Sequence, residues 1–94
     1  YEALSYVWGC QEPPRSLWLS GKNSGLLSIG PNLYDALERL RPVPGQEART
    51  LWADQICINQ TDLEERNAHV LMMGDIFKGA RKVLIWLGQE VNTL

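Results

Sequence analysis

The chain has 94 residues, 45% of them apolar, and a formal net charge of −2. That content suits one small folded domain and excludes a disordered polypeptide. Acids and bases are interspersed without a basic stripe, which argues against a nucleic-acid partner, and no run approaches the ~20 apolar residues of a membrane span.

In chain order, Ala3 to Trp8 mixes β-branched and aromatic residues and stops at Gly9, which predicts a strand. Pro13 and Pro14 mark a loop. Ser16–Ser20 and Leu26–Ile29 flank Gly21-Lys22-Asn23-Ser24-Gly25, turn chemistry that joins two short antiparallel strands. Gly30-Pro31-Asn32 opens a helix, because a proline at the first helical position gives up only an N–H that would be unpaired anyway. Leu33, Ala36, Leu37 and Leu40 form its apolar stripe, and Pro42 ends it.

Leu51 to Ile58 is a mostly apolar run, the pattern of a strand buried on both faces, with Asp54 and Gln55 as its polar members. Thr61-Asp62-Leu63-Glu64 has the form of a capping box and predicts a helix to about Lys78, stopped at Gly79. Val83 to Leu87 reads as a last strand. The alternation predicts an α/β fold, a mostly parallel sheet with flanking helices plus an antiparallel hairpin insertion. In such sheets ligands lie beyond the carboxyl ends of the strands. Those ends are Trp8-Gly9, Asp54 through Asn59, and Gly88-Gln89.

Leu63, Arg66, Val70, Met73 and Phe77 share one face of the second helix, and the arginine interrupts an apolar stripe. A buried arginine needs a partner, and Asp54 is the natural one. Two readings stand: a latch between strand and helix, or the lining of a ligand site. Glu65 lies on the adjacent face with His69 four residues on, a spacing open to an acid–base couple or to a solvated surface. Trp8, Trp18, Trp52 and Trp86 are expected in the core, with Trp8, at a strand end, the exception. Cys10 and Cys57 form no spaced pair, so reduced, partly buried thiols in a cytoplasmic protein are expected. With one histidine and no Cys-x-x-Cys, no metal is expected. Neither a nucleophile elbow around Ser5 nor a glycine-rich phosphate loop is present, and no bound cofactor is expected.

Tyr1-Glu2-Ala3-Leu4-Ser5-Tyr6-Val7-Trp8-Gly9 resembles the opening motif of fungal heterokaryon-incompatibility (HET) domains. Leu51-Trp52-Ala53-Asp54-Gln55-Ile56-Cys57-Ile58-Asn59-Gln60 resembles their second motif, and the similarity continues through Glu65-Arg66 to Trp86-Leu87-Gly88. Ala53, His69 and Phe77 depart from the residues usual at those places. The resemblance spans nearly the whole chain, and residues 1–94 are expected to be the N-terminal portion of a single, longer HET domain.

That resemblance implies a cytoplasmic effector of nonself recognition that triggers programmed cell death. It implies protein partners, namely self-association and upstream nucleotide-binding or repeat domains that sense the signal. HET domains are considered distant relatives of TIR domains, some of which cleave NAD with a glutamate. Two functions follow: a signalling module that works by self-association, or an NAD-cleaving hydrolase. In the second, NAD would be substrate, Glu65 and then Asp54 the candidate catalytic carboxylates, and Trp8, Gly9, Arg66 and Asn59 the candidate ligand-binding residues.

Overall fold

The computed structural model describes residues 1–21 and 24–88, together with the backbone of 91–93. Its elements run β1 (Glu2–Ser5), β2 (Arg15–Leu19), β3 (Gly25–Ile29), α1 (Pro31–Leu40), β4 (Leu51–Trp52), α2 (Asp54–Cys57), α3 (Leu63–Gly79), β5 (Lys82–Trp86) and β6 (Val91–Thr93). β1 is central, parallel to β4 on one side and to β5 on the other, while β6 joins β5 antiparallel. β2 and β3 form a separate antiparallel hairpin. The fold is therefore mixed α/β, with a parallel core, flanking helices and an added hairpin. Parallel strands in the spatial order second, first, third place the switch point beside β1, as in other doubly wound sheets.

Strand alternation sorts the two faces. Leu4 of β1 and Leu84 of β5 point to the side covered by α1 and the hairpin, where Leu33, Ala36 and Ile29 are buried with them. Fully burying each leucine contributes about 2 kcal/mol. The α1 stripe forms as its spacing predicts, with Pro31 in the first turn. Leu51 packs on this same side, so its neighbour Trp52 points to the opposite face. There Trp52 meets Phe77 of α3 edge-on, with ring centroids 5.7 Å apart at 79°. Tyr1 supports the same junction: its hydroxyl donates to the Ile76 carbonyl, and its carbonyl accepts from Arg81 N at 2.7 Å.

Several expectations need correction. β1 ends at Ser5, and Tyr6 to Trp8 continue without a ladder. The strand expected over Leu51–Ile58 is only Leu51–Trp52, followed by a single helical turn. Two polar residues inside the run decide this. Asp54 at the first helical position accepts from Gln55 N at 2.9 Å, satisfying an N–H that a turn otherwise leaves free. The cap of α3 is Asp62, which accepts from Glu65 N at 3.1 Å, one residue later than the expected Thr61. β6 was not foreseen. Parts of two readings, Lys22-Asn23 in the hairpin turn and Gln89 at the crevice, lie outside the described residues.

The face assigned to α3 also differs. Met73 and Phe77 are half-buried, but Leu63, Arg66 and Val70 are exposed, and no residue of this 17-residue helix is buried. Apolar residues stand all round α3, so periodicity alone does not choose the docked face. Trp86 is buried and Trp52 half-buried, but Trp18 is 68% exposed because it pairs with Leu26 on the outer face of the hairpin. Both cysteines are free and exposed rather than partly buried. Among the described residues no helix is long and apolar enough to cross a membrane.

Candidate functional site

The carboxyl ends of β4 and β1 meet at Asp54. One carboxylate oxygen accepts from the Tyr6 hydroxyl at 2.6 Å and the other from the Trp8 indole Nε1 at 2.9 Å. The chain just past β1 is therefore folded onto the first turn of α2, and the polar ends of two aromatic side chains share one acid. Gln60 closes the other end of that turn, donating from Nε2 to the Asp54 carbonyl at 2.8 Å. Gln55 ties the turn to α1 by accepting from Gly30 N at 3.2 Å, while its own Nε2 is buried without an acceptor. A second junction lies at the switch point. Asn32, in the first turn of α1, accepts from Trp86 Nε1 at 2.9 Å and donates to the Val7 carbonyl.

Asp54 does not form the expected latch with Arg66. Arg66 is exposed, and the ion pair found among the described residues is Arg49–Glu2, at the other end of β1. Arg66 stands on an exposed part of α3, and the Asp54 carboxylate accepts instead from Tyr6, Trp8 and Gln55 N. Glu65 is half-buried, and its carboxylate accepts from Asn59 N at 2.6 Å, holding the loop between α2 and α3. His69 does not couple to that carboxylate; its Nδ1 lies 2.9 Å from the Glu65 backbone carbonyl, to which the ring N–H donates. Asn59 itself accepts from Thr61 N and Thr61 Oγ1 in a tight turn. Gly9 adopts a φ of 63°, in the left-handed region, and the Trp8 and Gly9 carbonyls beside it accept from Gln11 Nε2.

Asp54 and Trp8 are thus brought together, with Gly9 next to them; Glu65 and Asn59 form a neighbouring pair, and Arg66 stands apart on the surface. A hollow of about 510 Å³ beside the end of β5 is lined by Asn32, Asp35, Glu38, Arg39, Trp86 and Gly88, and includes neither Asp54 nor Glu65. Tyr6 and Asn32 were not singled out in the sequence. A tyrosine in the Tyr-Val-Trp run carries a polar tip that must find a partner when half-buried, and that was the available signal.

Burial first, and then the Asp54 carboxylate, push the Tyr6 hydroxyl far above the ordinary tyrosine range near 10. Because the folded state holds this proton more tightly than the unfolded state, the contribution to stability is complete below pH ~10 and is lost as pH rises above it. Urea midpoints taken from about pH 9 to about pH 11 should fall for the wild type and fall less for Tyr6→Phe. Parallel profiles for the two proteins would refute this account of Tyr6.

Against known families, residues 1–94 match the model described as heterokaryon incompatibility protein (HET). The chain is also similar to heterokaryon incompatibility protein 6, OR allele, of Neurospora crassa, with 36% identity over 106 aligned residues that cover 98% of this chain. It spans 15% of that relative's length. No solved structure matches it. The sequence from the first strand to the last described residues, Asp54 and its two aromatic donors included, makes this chain a member of the heterokaryon incompatibility family.

Proposed function

We propose that the chain acts in fungal heterokaryon incompatibility as a signalling module, bringing about cell death by associating with other protein chains rather than by its own chemistry. The observation that carries this reading is α3, which has no buried residue and presents Leu71 at 87% and Val70 at 62% exposure. Large apolar side chains collected on one exposed element mark an interaction surface. The alternative, NAD cleavage of the TIR type, needs a carboxylate free to meet the ribosyl carbon. Asp54 serves Tyr6 and Trp8, and Glu65 serves Asn59, so each acid is engaged by the fold's own donors. Engagement of both acids within the fold supports the associating module over the hydrolase.

Glu65→Gln tests this in cells expressing the full-length protein. Glutamine keeps an oxygen that can accept from Asn59 N, so the folded chain should persist and killing should match the wild type. Loss of killing by a Glu65→Gln protein that is folded and equally abundant would overturn the reading and restore the hydrolase.

A further inference from the structure

The hairpin leaves one strand edge open beside an apolar hollow. Among the described residues β2 pairs only with β3, and no other main-chain segment bonds to Arg15–Leu19. Alternate N–H and C=O groups along its outer edge thus have no main-chain partner. Natural sheets blunt such edges with proline, a bulge or an inward charge. Ser16–Leu19 has none of these, and its register with β3 runs one to one. A hollow of about 620 Å³ adjoins this edge. Its wall takes Ser16, Leu17 and Trp18 in succession, together with Leu37 of α1, Leu51 of β4 and Ile56 of α2. Successive side chains of a strand point to opposite faces, here Leu17 toward the core and Trp18 outward. A hollow touched by all three follows the edge of the strand rather than either face. β4 is itself an edge strand of the core sheet, so the hollow adjoins an edge strand of each of two sheets.

We propose that an extended segment of a partner protein adds to β2 as a third strand of the hairpin sheet, its alternate apolar side chains set into this hollow. The proposal rests on the associating role argued above and supplies a surface for it. What the wall offers decides the occupant. A row of unpaired N–H and C=O groups is met by the main chain of another strand, and the apolar wall takes side chains at two-residue spacing. The charges at the hollow are mixed, Glu38 with Arg41 and Arg49, so they select neither an anionic nor a cationic ligand. Main-chain hydrogen bonds then supply the affinity, and the hollow chooses the side chains. A second copy pairing through its own β2 would bring its β3 along, and Leu51 and Ile56 wall the hollow against that further strand.

Fluorescence anisotropy of a labelled peptide, Lys-Thr-Val-Thr-Val-Thr-Lys, titrated with the full-length protein tests this. Binding with a Kd on the order of 100 µM is expected. An added strand turns only one alternate set of its amides toward β2. N-methylation of that set should weaken binding at least about tenfold, and of the other set less than about threefold. Leu17→Lys, which sets a charge beneath the added strand, should also weaken binding about tenfold and reduce killing, whereas Ser28→Lys on β3 should do neither. Unchanged urea midpoints would show that both variants fold, and the methylated peptides need no variant. Equal effects of the two methylations overturn strand addition. So does the absence of binding up to about 1 mM while the outward amides of Ser16–Leu19 exchange rapidly with deuterium. Slow exchange of those amides in the free monomer would assign the edge to another part of the same chain. Slowing that grows with protein concentration would assign it to a second copy, and either result overturns the proposal. Undiminished killing by a folded Leu17→Lys protein that no longer binds the peptide overturns the partner site and leaves the associating role in place. Death that follows NAD collapse and depends on Glu65 overturns that role even where the peptide binds.

Discussion

Asp54→Ala should lower the stability of the folded chain by about 3 kcal/mol, the cost of leaving several donors without their charged acceptor. The Tyr6 hydroxyl, Trp8 indole and Gln55 N–H all converge on this one side chain. Tyr6 is half-buried and contributes most of the loss; Trp8 is more exposed and can turn to water. Asp54→Asn should cost roughly half as much, because the amide keeps one acceptor oxygen and turns its N–H₂ toward a group that also donates. Urea unfolding followed by tryptophan fluorescence reads the change as a lower midpoint at an unchanged slope. The sign is as informative as the size. A carboxylate kept for chemistry is often held at a cost to stability, and its removal then leaves the fold unchanged or more stable. An Asp54→Ala midpoint at or above that of wild type would therefore return Asp54 to the candidate catalytic residues.

The second large effect is expected at the opposite end of β1. Glu2 is 8% exposed and lies beside Arg49, whose Nε is 3.1 Å from its carboxylate and whose Nη1 reaches the Leu40 carbonyl at the end of α1. Arg49→Ala strands a buried carboxylate and should cost about 2 kcal/mol, below the full value for a buried pair because a third of the arginine side chain remains in water. Glu2→Leu alone leaves the arginine able to turn outward and should cost less. The double variant Glu2→Leu/Arg49→Met removes both charges and should recover most of the loss, since apolar groups of similar volume replace such pairs at little cost. A double-mutant cycle in urea should show a coupling of about 1 kcal/mol or more. Additive losses would mean that the pair does not hold β1 to the loop before β4.

The parts of the fold legible in the sequence are those written in local chemistry. Pro31 opening a helix with Leu33, Ala36 and Leu40 beneath it needed no distant partner, and neither did the hairpin; the alternation of strands with helices was enough to expect a mostly parallel sheet, though not its strand order. What escaped depended on pairs far apart in the chain. Arg66 drew attention as the one charge in an apparent stripe, yet the buried acid was Glu2 and its arginine Arg49, which no periodicity connects. Asp54 stands out in the sequence as a polar residue in an apolar run, but its partners Tyr6 and Trp8 read there as members of a strand. Trp18 shows the limit of composition: tryptophan content argues for a core, and the cross-strand register sends this side chain outward. α3 misled for the same reason that it now attracts interest, because its apolar residues do not single out one side.

The central claim is that the chain causes death by associating and not by consuming a nucleotide. NAD content followed over time in cells expressing the full-length protein, wild type beside Glu65→Gln, addresses it most directly. The account predicts that NAD stays level until membranes fail, with the same course and the same death in both. NAD that collapses before death in the wild type and holds steady in Glu65→Gln would contradict it and make Glu65 the centre of a hydrolase.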